Sequence, residues 1–165
     1  MLSVHSVVSF DFSVAMVPGW HATIFPPYFV AGAIFSGFAM VWTIMIPIRK
    51  WWKLEHYVTL NHLDATAKVV LLTSLVVGSA YMIEFFVAWY SGVGTEQEYM
   101  WNRVFGQWWW AEWTLLTCNM ILPLTLFSQN LRRNPAWLFI LSIFINIGMW
   151  FERFVIVIPS LSHEW

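Results

Sequence analysis

Charged residues are missing from long stretches of this chain, and apolar residues run on well past the length of an ordinary surface helix. A bilayer-spanning helix needs about 20 mainly apolar residues. Four stretches meet that length: 27–47, 64–90, 108–127 and 135–159. Pro26 and Pro27 open the first, where a first helical turn has no use for the missing N–H. Pro47 is expected to mark its far end, because an interior proline breaks the hydrogen-bond ladder. The fourth is entered through Pro135 and left through Pro159. Residues 1–16 read as the second half of a further spanning helix, so the chain is expected to be a piece of a longer protein. The pattern predicts an all-α integral membrane protein with four complete transmembrane helices in one bundle (27–159). The half-helix (1–16) and a turn (17–26) precede it, and a short tail (160–165) follows.

Composition supports a membrane and narrows the partners. Of 165 residues, 59% are hydrophobic and only 10% are charged, against roughly 25% charged in soluble domains. Thirteen Trp and fourteen Phe suit aromatic belts at the two interfaces, where Trp51, Trp52, Trp101 and 108–110 are expected. A net charge of −1 leaves no basic surface for nucleic acid. Cys118 stands alone, so no disulfide, zinc or iron–sulfur motif is possible within the chain. Arg49, Lys50, Lys53, Arg132 and Arg133 fall in the two connections on one side, which the positive-inside rule makes cytoplasmic. Residues 12–26, the connection 91–107 and the tail then face the periplasm. Gly32/Ser36 and Ala33/Gly37 form small-xxx-small pairs that predict a close helix contact.

Polar residues inside the spans are the candidate chemistry. A charge in hydrocarbon is costly and marks function by default. Glu84, Glu112, Glu152 and Arg153 are each expected within about 6–10 Å of the outer boundary, at 1.5 Å per residue. They form one polar layer drawn from three helices. Arg153 is expected to pair with Glu84 or Glu112, either as a structural ion pair or as part of a proton relay. Asp64 and Lys68 sit at i and i+4 near the inner end of the second span, a spacing that brings side chains together. That pair is either a structural salt bridge or a proton entry. Lys68 and Glu84 lie about 160° apart around one helix, so this span alone is no continuous proton wire, although Thr73 shares the Glu84 face. Asn119 and Asn146 are expected near mid-bilayer, as relay stations or, the favoured use, as interhelical hydrogen-bond formers. His5 and Asp11 place an imidazole and a carboxylate in apolar surroundings before a long uncharged run that ends at Arg49. No span holds a mid-membrane histidine, so haem is excluded from the four spans. No metal site is expected.

Several segments resemble a known family. They are His5–Phe12 (HSVVSFDF), the turn Pro18–Pro27, Tyr28–Met40 (YFVAGAIFSGFAM), Asn61–Lys68 (NHLDATAK), Tyr81–Gly92 (YMIEFFVAWYSG) and Asn146–Val157 (NIGMWFERFVIV). Together they closely resemble NrfD/polysulfide-reductase-like membrane subunits, most closely the quinol-site subunit (ActC) of bacterial alternative complex III. The Pro18–Pro27 turn favours that subunit over its sister. The resemblance implies a parent of about ten helices in two four-helix bundles plus a flanking pair, of which this chain would carry the end of helix four and helices five to eight. The first bundle would supply much of the quinol pocket. The ending Ser160–Trp165 (SLSHEW) departs from the longer one expected.

By that resemblance the chain is a multi-pass subunit in the bacterial inner membrane that oxidises menaquinol or ubiquinol on the periplasmic side. Electrons would pass to an iron–sulfur subunit docked there, then to c-type cytochrome subunits carrying haem c. A homologous NrfD-like membrane subunit would stand beside it. Asp11 is the expected acceptor for a quinol hydroxyl, with His5 orienting the ring or taking a proton. Asp64, Lys68, Glu84, Glu112, Glu152 and Arg153 are the expected proton-path candidates. No electron carrier would bind in this chain, so it would not be catalytic alone. The competing reading is a non-catalytic membrane anchor for a peripheral iron–sulfur subunit. A solute transporter is disfavoured, because the prolines sit at span ends and not at mid-membrane.

Overall fold

A computed structural model describes residues 2–15 and 24–162. Among them every regular element is helical. Helix α1 covers Leu2–Ser13 and α2 covers Phe25–Trp51. A single 3₁₀ turn at Leu54–His56 leads into α3, Leu60–Ser91. Helix α4 is Gly94–Phe105 and α5 is Trp109–Leu116. The chain continues from α5 through a π-helical turn, Thr117–Ile121, and a 3₁₀ stretch, Leu122–Phe127. The short α6, Gln129–Arg132, then precedes α7, Pro135–Ser162. The turn expected over 17–26 lies mostly outside the described residues, as do His21 and His163.

Three helices are long and apolar enough to cross a membrane: Phe25–Trp51, Leu60–Ser91 and Pro135–Pro159. The stretch 108–127, expected as a fourth unbroken span, is instead three helical segments in series. Pro123 supplies the reason. It has no N–H to give the Asn119 carbonyl four residues back, and its ring crowds that carbonyl. The turn before it widens and the turn after it tightens. Pro47 and Pro159 act differently from expectation. Each lies inside its helix, and α2 runs on to Trp51 and α7 to Ser162. Both prolines fall in the last turns, where few further hydrogen bonds are left to lose.

Local signals start and stop the helices. Thr59 and His62 form a reciprocal cap at the head of α3. Asn134 accepts from the backbone N–H of Ala136 at 3.1 Å, and Pro135 follows it as the first helical residue. Gly92 ends α3 at φ +68°, a left-handed conformation that glycine adopts without penalty.

Helices α2, α3 and α7, with the broken helix 109–127, enclose two apolar cores. The one nearer the basic connections holds Phe35, Trp42, Leu63, Leu126, Leu138 and Ile145. The other holds Phe25, Tyr28, Val77, Tyr81, Leu115 and Val155. Polar side chains link the helices between them. Thr43 donates to Ser142 at 2.9 Å, and the amide of Asn146 donates to Thr43 at 3.1 Å. Asn146 is thus the interhelical hydrogen-bond former expected of it. Gly32 packs under Met149 of α7, where an added Cβ would lie 3.5 Å from the methionine methyl. Gly37 faces open space, so the contact is marked at Gly32 and not at Gly37.

Candidate functional site

Three polar clusters and one cavity carry the chemistry-bearing residues. The first lies at the basic end. Asp64 accepts from Arg132 Nε at 2.7 Å and from Lys68 Nζ at 2.9 Å. Lys68 is largely exposed, at 59%, whereas Asp64 and Arg132 are mostly covered. The helical spacing of Asp64 and Lys68 produces the expected bridge. Arg132, counted from sequence among the cations of the connections, is the second partner, brought in because α6 packs against α3.

The second cluster lies at the opposite end and corrects an expectation. The cation between Glu84 and Glu112 is Arg103, not Arg153. The connection 91–107 is mostly helix, and α4 folds back so that Tyr99, Met100 and Arg103 face inward. Arg103 meets Glu112 as a fork, Nε to Oε2 at 3.1 Å and Nη2 to Oε1 at 3.1 Å. Its Nη1 reaches Glu84 Oε1 at 2.8 Å. The guanidinium is 2% exposed and Glu112 1%, so water screens this pair little. Phe85 and Tyr99 rings flank it, each 5.6 Å from Cζ. Burial pushes the Tyr99 phenol up to about 12, so the ring beside Arg103 carries a neutral hydroxyl at physiological pH. Two carboxylates share one cation that keeps its proton throughout.

The third cluster centres on Glu152 of α7. Tyr81 Oη donates to its Oε2 at 2.6 Å, and Asn119 Nδ2 lies 3.3 Å from the same oxygen. Tyr28 packs edge-on against Tyr81, with ring centroids 5.6 Å apart. All four side chains are buried. Thr73, considered as a bridge toward Glu84, donates instead to Val69 and Val70 carbonyls of its own helix.

Glu152 also borders a cavity of about 340 Å³ between α1, α2 and α7. Its walls are Phe12, Phe29, Met149 and neighbouring aliphatic residues, and its ionisable lining is His5, Glu152 and Arg153. An apolar enclosure of this size with a few convergent polar groups is the usual form of a small-molecule site. Arg153, adjacent to Glu152 in sequence, is exposed at this cavity rather than paired within the outer layer. His5 is half-buried there. Asp11 is exposed and does not line the cavity, since six residues along α1 turn it about 120° away from the His5 face. Among the described residues no group of three His, Cys, Asp or Glu side chains is arranged to hold a metal.

Sequence reasoning missed Arg103 and Tyr81. The spacing of Tyr99, Met100 and Arg103 fits one helix face, but nothing local says that this face turns inward. Tyr81 stood inside an apolar run with nothing to separate it from a core aromatic.

A family model described as "Polysulphide reductase, NrfD" matches residues 2–163. The chain belongs to the NrfD family. No curated protein matches it. As an NrfD-family chain it is an integral membrane subunit of the quinol-related oxidoreductase type. The three long apolar helices, the cavity and the clusters are therefore features of a membrane subunit of that type.

Proposed function

We propose that this NrfD-family chain is a membrane subunit of a bacterial respiratory quinol:electron-acceptor oxidoreductase of the alternative complex III type, and that its cavity takes the quinol ring on the periplasmic side. The observation that carries this reading is the meeting of His5 and Glu152, with Arg153 beside them, on the wall of a largely apolar cavity of about 340 Å³. Oxidising a quinol releases two protons and two electrons, so bases must stand at the ring. His5 takes a proton from one hydroxyl, and Glu152 takes the proton from the other. Asp11, exposed next to Phe12 on the outer side of α1, passes protons on to the aqueous side. The electrons leave one at a time to an iron–sulfur cluster in a partner subunit, and from there to c-type cytochrome subunits. A sister NrfD-like subunit completes the membrane part. Menaquinol and ubiquinol both fit this chemistry.

A second reading, a non-catalytic anchor for an iron–sulfur subunit, draws on a specific observation. Glu84, Glu112, Asp64 and Lys68, the proton-path candidates away from the cavity, are all engaged in ion pairs. Structural pairing is enough to account for them.

The test is quinol oxidation by the complete purified complex carrying His5→Gln, Glu152→Gln or Asp11→Asn. The quinol reading expects His5→Gln and Glu152→Gln each to lower turnover by about 100-fold, in line with the loss of a general base, and Asp11→Asn to lower it less. Unchanged turnover in all three, with subunit composition intact, would leave the anchor reading standing.

A further inference from the structure

Glu152 has two sides. One borders the cavity with His5 and Arg153. The other is held from behind by groups that never reach the cavity. We propose that Tyr81 and Asn119 are positioning residues that fix the Glu152 carboxyl at the cavity wall in the geometry needed to exchange a proton with a bound quinol. This rests on the reading of the cavity as the quinol site.

The hydrogen bonds converge on one atom. Oε2 receives Tyr81 Oη at 2.6 Å and Asn119 Nδ2 at 3.3 Å. Asn119 Nδ2 also lies 3.4 Å from Tyr81 Oη, so the three groups form a closed triangle. Tyr81 is 2% exposed and Asn119 0%. Burying such groups is costly unless they bond one another, and aliphatic side chains would fill the same space without that cost.

The chain is also bent out of regular geometry to make the triangle. Pro123 strips the Asn119 carbonyl of its helical donor, and Ser74 Oγ replaces it at 2.9 Å. The resulting π turn, Thr117–Ile121, is a feature that gathers at functional sites. It directs Asn119 toward α7, which comes unusually near at Gly148. A Cβ on Gly148 would lie 2.3 Å from Asn119 Oδ1 and 2.6 Å from Cys118 Cβ. Gly148 and Glu152 stand at i and i+4 on one face of α7, so the glycine lets the carboxylate reach the amide. Asn119 Oδ1 is buried with no hydrogen-bond partner among the described residues, so the amide is held through its Nδ2 side, on Glu152 and Tyr81.

The other ionisable groups facing Glu152 are Arg153 beside it on α7, His5 across the cavity, Tyr28 behind Tyr81, and Glu84 one helical turn along α3 from Tyr81. Any pH profile therefore reports all of them, and the carboxyl must be followed directly. Tyr81→Phe removes one O–H and keeps the ring. In the complete complex it is expected to lower quinol kcat about tenfold, the effect of losing one hydrogen bond to a charged group, with KM within about twofold. The infrared carboxylate stretching band of Glu152, assigned by its loss in Glu152→Gln, should move, and the pH profile of kcat should change. Asn119→Ser is read in the same way and covers the case in which Tyr81→Phe fails to assemble.

An unmoved band and unchanged kcat in both variants would overturn the proposal, even if the melting temperature falls. A moved band alongside normal turnover in His5→Gln and Glu152→Gln would refute the quinol reading. It would leave the positioning of Glu152 standing.

Discussion

The two ends of the bundle solve the same problem with opposite charge balance. At the basic end one acid, Asp64, is shared by two cations, Arg132 and Lys68. At the other end one cation, Arg103, is shared by two acids, Glu84 and Glu112. The first cluster opens to water through Lys68, whereas the second is closed around a guanidinium that is only 2% exposed. Exposure sets how much each depends on its parts. Water can stand in for a lost partner at the basic end. At the closed end nothing replaces Arg103, and two carboxylates would be left together, Glu112 fully buried and Glu84 mostly covered. A buried pair that loses one member is penalised mainly by the charge left behind.

Removing Arg103 should therefore have the largest effect of any single change in the two clusters. Arg103→Met is expected to destabilise the chain by about 3–5 kcal/mol, read as a loss of folded protein or a steep drop in melting midpoint in detergent. Arg103→Lys should recover little of that, because an ammonium cannot make the fork to Glu112 while also reaching Glu84. A Lys variant as stable as the parent would mean that charge alone matters and the geometry does not.

Glu112→Gln sharpens the comparison from the acid side. It removes one of two carboxylates and leaves the Arg103–Glu84 pair at 2.8 Å. The expected loss is about 1–2 kcal/mol, that of a charged hydrogen bond weakened to a neutral one. If Glu112→Gln proved as damaging as Arg103→Met, the closed cluster would not be acid-rich in the sense argued. Asp64→Asn comes next. It leaves two cations at the basic end, but Lys68 can turn to solvent, so the midpoint should fall by only about 2–4 °C.

The two clusters also differ in how far the sequence reveals them. Asp64 and Lys68 declare themselves by spacing, because i and i+4 on one helix is a local relation. Glu84 and Glu112 are legible as members of one polar layer, since helical rise fixes depth. Their cation is not, because Arg103 reaches them only when α4 folds back, and that depends on tertiary packing of a segment whose composition reads as a connection. The three long spans follow from apolar length and flanking prolines. The break in 108–127 was available in principle from Pro123, but an apolar run of spanning length conceals it. The Tyr81–Asn119–Glu152 triangle joins three helices, and no local pattern announces such a meeting.

The smallest expected effect gives the most direct test of exposure. Lys68→Ala deletes the outermost charge of the open cluster and leaves Asp64 bonded to Arg132 at 2.7 Å. Exposed i,i+4 ion pairs contribute about 0.3–0.5 kcal/mol, so the midpoint should stay within about 2 °C of the parent. Salt then separates the two ends. Raising ionic strength from about 0.1 M to 1 M shortens the screening length from about 10 Å to about 3 Å. Whatever Lys68 contributes should vanish at the higher salt, and parent and variant should melt together. The penalty of Arg103→Met should remain, because no counter-ion reaches a guanidinium site covered by Phe85, Tyr99 and Met100. Should the Arg103 penalty fade with salt as well, water and ions must enter the second cluster, and the contrast between an open and a closed end would not hold.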